Sequence, residues 1–236
     1  MRGGAEGLET LVQGRFDLII FSNLLNELYP SDEKKITKRI ERVRQILDQL
    51  LARDGSCIII EPSLRETSRE LLLVRDGLLD NGFHVFSPCL MNGKCPVLAN
   101  PKDWCHEDVP WDPPLVVKEI DARIGLRKDS LKFSYLVLRK DSLSIADLHG
   151  ADSFRVVSDP LVSKGKTEFY ICGRGERRLV TRLDKDKTSQ NEAFGKLKRG
   201  DIAAFEGLVE EGRRFKVSKE TGVMLRKEGL RSAALL

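Results

Sequence analysis

Two short, almost unbroken apolar runs joined by an amphipathic helix constrain this chain more than any other feature. Phe16-Asp17-Leu18-Ile19-Ile20-Phe21 and Cys57-Ile58-Ile59-Ile60 have no polar face, so each is expected to be buried on both sides, as strands of a parallel sheet are. Between them Ile36, Ile40, Val43, Leu47, Leu50 and Leu51 form one helical stripe, with Ser31 as its N-cap and Asp32 and Glu33 in the first turn. Gly55 ends the connection to the second strand. A second helix runs from about Glu66 to Asp80 on Leu71, Val74 and Leu78 and stops at Asn81-Gly82. Phe83-His84-Val85-Phe86 reads as a third strand. This β-α-β-α-β order specifies an α/β fold with a parallel, doubly wound sheet.

The periodicity then stops. Residues 87–130 contain Pro88, Pro96, Pro101, Pro110, Pro113 and Pro114, three cysteines and both tryptophans. A loop of this length in a compact domain is generally functional or disordered, and its cysteines and tryptophans favour function. Phe133 to Leu138 returns as a strand expected to close one sheet edge. Beyond about Asp141 the texture changes to short strand-like runs: Phe154 to Val157, Phe169 to Cys172, Leu179 to Leu183, Ile202 to Val209 and Arg214 to Ser218. Thr221-Gly222 precedes one more. The expected division is an α/β domain over residues 1–140, with a Cys-rich insertion at 87–130, and a small antiparallel β domain over 141–236.

Five cysteines in a chain without a secretory leader argue against a disulfide framework and for thiolate metal binding. Cys89, Cys95 and Cys105 stand among Gly and Pro turns that allow ligands to converge from several directions. A fourth ligand must come from elsewhere, and Cys172, at a strand end before Gly173-Arg174-Gly175, is the candidate. Cys57 is set aside because it lies inside an apolar strand, where a free cysteine behaves as a small hydrophobe. Zinc held by the three cysteines with His106 or His84 uses equally suitable ligands. Spacing alone leaves zinc, an iron–sulfur cluster and scattered buried thiols open.

The net charge of +4 is unevenly placed: residues 151–236 hold 19 Lys/Arg against 13 Asp/Glu. Arg174, Arg177, Arg178, Arg182, Lys196, Lys198, Arg199, Arg213 and Arg214 are the positive groups available there. A basic third suggests a polyanion, with RNA the expected partner and DNA not, although a merely solvated charged surface has the same composition. No apolar run approaches the roughly 20 residues that span a bilayer, so no membrane role is expected. Met1 to Gly14 carries Glu6 and Glu9 and has neither signal nor transit character. The expected compartment is the cytoplasm.

Taken in order, Phe16 to Leu28 (Phe-Asp-Leu-Ile-Ile-Phe-Ser-Asn-Leu-Leu-Asn-Glu-Leu), Ile60-Glu61-Pro62, the Pro-Cys…Cys-Pro pair, Asp103-Trp104-Cys105-His106 and Lys132 to Leu138 resemble the methyltransferase-like proteins of the small ribosomal subunit. The resemblance covers roughly residues 10–175. It implies a [4Fe–4S] cluster on Cys89, Cys95, Cys105 and Cys172, which places iron–sulfur ahead of zinc. The family's usual residues after the first cysteine are replaced here by Leu90-Met91-Asn92. The resemblance also implies that Phe16–Phe21 is the fourth strand of a methyltransferase sheet. The first three strands bind S-adenosylmethionine through a Gly-rich turn and an acid, and Gly3-Gly4 and Gly7 are no substitute for that turn. The chain therefore reads as the C-terminal half of such a domain. Ser22, Asn23, Asn26 and Glu27 are what remains of the cofactor cleft, where they cap a strand end or face adenine and substrate. The implied role is small-subunit assembly through rRNA, with the metal site as a staple. Methylation of rRNA or of a ribosomal protein would need the absent half, and electron transfer by the cluster ranks last.

Overall fold

The computed structural model describes residues 13–150 and 152–227, so Gly3, Gly4 and Gly7 lie outside the described residues. Its first sheet begins with β1 (Phe16–Ser22) and β2 (Leu51–Pro62), paired in parallel and joined by helix α1 (Lys35–Leu50). Helix α2 (Arg65–Asp80) leads to β3 (His84–Ser87), with Gly82 at φ +84° supplying the left-handed turn. The insertion holds a short 3-10 turn (Pro96–Ala99), β4 (Glu107–Pro110) and helix α3 (Leu115–Ile124), and β5 (Ser130–Arg139) follows. The strand order is β1-β2-β5-β3, and β4 pairs with β5.

The class is the α/β one expected from the sequence, but β5 does not close an edge. It runs antiparallel between β2 and β3, pairing Cys57 with Leu138 and Val85 with Leu138. The reason is its composition. Leu136 and Leu138 are buried to 1% and 0% exposure against Ile59, Leu71 and Leu78, which only a central position allows.

Two local expectations shift. Ser31 does not cap α1, which starts at Lys35 without a side-chain cap. Gly55 lies within β2 rather than before it, beside a register shift between Phe16 and Leu18. A Cβ there would stand 3.0 Å from the Phe16 carbonyl oxygen, so glycine is what lets β1 approach at the bulge.

After a one-turn helix α4 (Ile145–His149), the second sheet contains β6 (Ser153–Val156), β7 (Leu161–Ser163), β8 (Lys166–Gly173), β9 (Glu176–Leu183), β10 (Ile202–Glu206), β11 (Val209–Glu211), β12 (Arg214–Val217) and β13 (Gly222–Lys227). Its order is β11-β12-β9-β8-β6-β10-β13, with β7 on β8. β12 pairs in parallel with β9, while β13, four residues further on, pairs antiparallel with β10. The two act as halves of one bent strand, so β6, β8, β9, β12–β13 and β10 close into a barrel. That single parallel pairing departs from the all-antiparallel expectation and is what closure requires. Phe154, Phe169, Phe194, Phe205 and Phe215 fill the barrel in edge-to-face contacts of 5.1–6.5 Å.

Candidate thiol centre and the strand-end loop

Helix α2 shapes the cysteine insertion with side chains on its inner face. The Arg75 guanidinium, fully buried, donates through Nη2 to the Met91 carbonyl and through Nη1 to that of Gly93, both at 2.8 Å. The neighbouring Asp76 carboxylate pairs with Arg75 and accepts the Cys95 amide at 3.0 and 3.1 Å. Asn92, one of the residues that departs from the family pattern, accepts the Val85 amide at 2.7 Å. Further along, Arg69 donates to the carbonyls of Asn100 and Asp103 at 2.8 and 2.7 Å. Ser134 donates to the Cys105 carbonyl at 2.9 Å and shares a buried hydrogen bond with Ser68. Three turns of polar side chains on α2 thus fix the path of the loop that carries Cys89, Cys95 and Cys105.

Cys172 comes to this loop from the barrel. It sits on β8 opposite Arg155 of β6 and Arg177 of β9. Arg155 pairs with Glu107 of β4, both nearly buried, and Arg177 donates to Asp103 at 2.7 Å. These two ion pairs hold the barrel against the insertion.

All five cysteines are free thiols. Burial pushes the Cys172 thiol up, and the negative charges that Cys89, Cys105 and Cys95 would carry push it further. Cys95 is raised to about 12, first by burial and then by Cys89, with Cys105 adding to it. The four sulfurs therefore lie within one another's electrostatic reach. Cys57 is also raised to about 12, but by burial alone, in keeping with its place in the core. Arg75 is the counter-charge: burial disfavours its cation, while Cys89, Cys95 and Asp76 favour it. Among the described residues, no group of three or more His, Cys, Asp or Glu side chains is arranged to hold a metal ion. Cys89, Cys105 and His106 line one small cavity with Tyr135. His106 stacks on Trp104, and its buried Nδ1 has no partner. His84 is elsewhere, on β3 opposite Arg139.

The thiol shifts have a direct consequence for reactivity. At pH 8 a group with a pKa of about 12 is thiolate in only about one molecule in 10⁴, against about one in ten at the ordinary value. Cys95 is expected to react with iodoacetamide at least a hundredfold more slowly than free cysteine at pH 8, and to speed up about tenfold per pH unit to pH 11. Peptide mapping after timed alkylation reads this.

The four residues expected at the cofactor cleft follow β1. Ser22, Asn23 and Glu27 are exposed and Asn26 is half-buried. Asn23 takes a left-handed φ of 51° and donates its amide to the Ile60 carbonyl at 2.8 Å. Glu61, which the sequence showed only as part of Ile-Glu-Pro, organises this loop. Its carboxylate, 2% exposed, accepts the amides of Leu24, Leu25 and Asn26 at 3.2, 2.8 and 3.2 Å. Burial pushes its carboxyl up, partly offset by those amides and Arg39. β1 pairs with β2 alone among the described residues, and Phe16, Leu18 and Ile20 face outward along it.

The basic third also changes on inspection. Arg174, Arg177, Arg178, Lys196 and Arg199 each pair with an internal carboxylate, and Arg182 is buried over Phe194. Composition therefore overstated the charge offered to a partner.

The fold is thus the end of an α/β sheet with a thiol centre in its insertion, pinned to a closed β barrel. The chain belongs to the family described as mitochondrial small ribosomal subunit Rsm22, whose sequence profile matches residues 5–219. No curated protein matches it. No helix among the described residues is long and apolar enough to cross a membrane.

Proposed function

We propose that this chain is a methyltransferase-like factor of the small ribosomal subunit that contacts rRNA, and that Cys89, Cys95, Cys105 and Cys172 hold a [4Fe–4S] cluster. The convergence of those four thiols, three from the insertion and one from the barrel, carries the reading. The donor set fits: four thiols without a disulfide, one buried guanidinium beside them and little water. Thiolates around a single zinc, with bonds of about 2.3 Å, would crowd within about 4 Å of one another. A cube of iron and sulfide keeps its ligands farther apart, which agrees better with sulfurs that sense each other without closing on a point. When bound, the cluster would supply four covalent links between the sheet and the barrel, and Arg75 would offset part of its charge.

S-adenosylmethionine does not fit the residues described. Ser22, Asn23 and Glu27 form one exposed wall at the end of an edge strand, and no methyl-transfer step is derived from them. The proposed compartment is the cytoplasm, although the matched family's description names the mitochondrial subunit.

The test is anaerobic purification with iron, sulfide and zinc analysis, alongside co-sedimentation with small ribosomal subunits. About four iron and four sulfide per chain, lost on changing any of the four cysteines to serine and kept in Cys57→Ala, is the expected result. One zinc per chain would replace the cluster with a zinc staple, and the absence of any metal would overturn the centre. Failure to co-sediment would overturn the ribosomal assignment. Calorimetry of the same preparation should show no saturable binding of S-adenosylmethionine.

A further inference from the structure

The barrel has a specific topology. Its first three strands, β6, β8 and β9, form a meander; a 3-10 segment (Ser189–Lys196) follows; then come β10 and the bent β12–β13, with β12 parallel to β9 and β10 beside β6. This is the order of the five-stranded oligonucleotide/oligosaccharide-binding barrel, in which the outer face of the second and third strands, with the first–second and fourth–fifth loops, receives the ligand. Here that face is β8–β9, flanked by the loop holding β7 and the loop holding β11.

Alternation along the strands separates what fills the barrel from what faces out. Phe169, Ile171, Val180, Phe215 and Val217 point inward and are buried. Tyr170, Leu179, Thr181, Arg214 and Lys216 point outward, with Leu179 opposite Tyr170 and Arg214, and Thr181 opposite Lys216. The Arg177 guanidinium lies 4.0 Å from the Tyr170 ring centroid and is held there by Asp103. A flat guanidinium on a flat ring is a surface on which an unpaired base stacks. Arg214 is exposed and has no ion-pair partner given among the described residues, unlike most of the barrel's other arginines, while Lys216 meets Glu211 only at 3.4 Å. Glu168, the acid on this face, is already held by Lys166 and Thr181.

We propose that single-stranded RNA lies across β8, β9 and β12, with a base on the Tyr170–Arg177 platform and backbone phosphates on Arg214 and Lys216. Duplex RNA is the poorer ligand, because the platform needs an unstacked base. The strand passes beside Cys172, so the thiol centre forms one end of the site. This rests on the rRNA reading above and deepens it.

The test uses the full chain and a fluorescein-labelled 12-nucleotide single strand, with the same sequence as a duplex, followed by anisotropy across a salt series. R214E/K216E, both changes on the surface, should weaken single-strand binding at least tenfold and flatten the salt slope by about one. Tyr170→Ala should weaken it about tenfold and leave the slope unchanged. Arg53→Glu, an exposed change on the other sheet, should bind as the parent does. Unchanged binding in R214E/K216E, or duplex bound as tightly as the single strand, would overturn the proposal. Co-sedimentation with small subunits separates the two readings. A chain that sediments yet ignores the single strand loses this face and keeps the ribosomal role. One that binds the strand without sedimenting keeps the face and loses that role.

Discussion

Replacing Arg155 with methionine is expected to lower the unfolding free energy by about 3–5 kcal/mol, the cost of leaving one member of a buried ion pair alone. Arg155 and Glu107 are 6% and 5% exposed, on β6 of the barrel and β4 of the sheet. Removing the guanidinium strands a carboxylate where water cannot reach it. Glu107→Gln alone should cost a similar amount, and the double change should recover most of the loss, because no charge is then left uncompensated. Urea titration of the four proteins in the metal-free state measures all three differences. Additive losses in the double variant would mean that the two residues act separately. For a domain whose whole stability is of the order of 5–15 kcal/mol, either single change is large.

Arg75→Met is expected to be equally severe and to act on the thiol centre as well. It removes the donors to Met91 and Gly93 and leaves Asp76 buried without its cation, for about 3–5 kcal/mol by the same reasoning. It also frees the segment between Cys89 and Cys95, so cluster occupancy after anaerobic reconstitution should fall several-fold at a temperature where the variant is still folded. Arg75→Lys keeps a charge but cannot span two carbonyls and a carboxylate, and should recover only part of the occupancy. Full occupancy in a folded Arg75→Met would show that the loop holds its shape without the clamp.

Much of the first sheet was legible because β1, β2 and α1 are continuous in sequence and their burial repeats with a fixed period. The position of β5 was not, because a strand's own pattern says that it is buried but not between which neighbours. Helix α3 was missed within the insertion: Leu115, Val116, Ile120 and Ile124 are all at least half exposed, and prolines precede them. The cysteines were visible as residue types, whereas their clamp was read as the solvated side of α2. One signal was available, since Arg75 falls four residues after Leu71 and three before Leu78, inside the apolar stripe. A charge in that position calls for a buried partner. For the basic barrel the failure ran the other way, because composition counts cations and cannot see which of them already face an acid.

The central place of β5 has a consequence for synthesis. Its 68-residue separation from the end of β2 corresponds to about 3–14 s at roughly 5–20 residues per second on the ribosome. Throughout that interval β2 has its hydrogen-bonding edge towards β5 open and β3 has no partner. The insertion must loop out and back before the strand that joins them exists. The nascent chain therefore carries an exposed, Ile-rich strand edge, the kind that pairs with other chains, and is most dependent on chaperones just before residues 130–139 emerge.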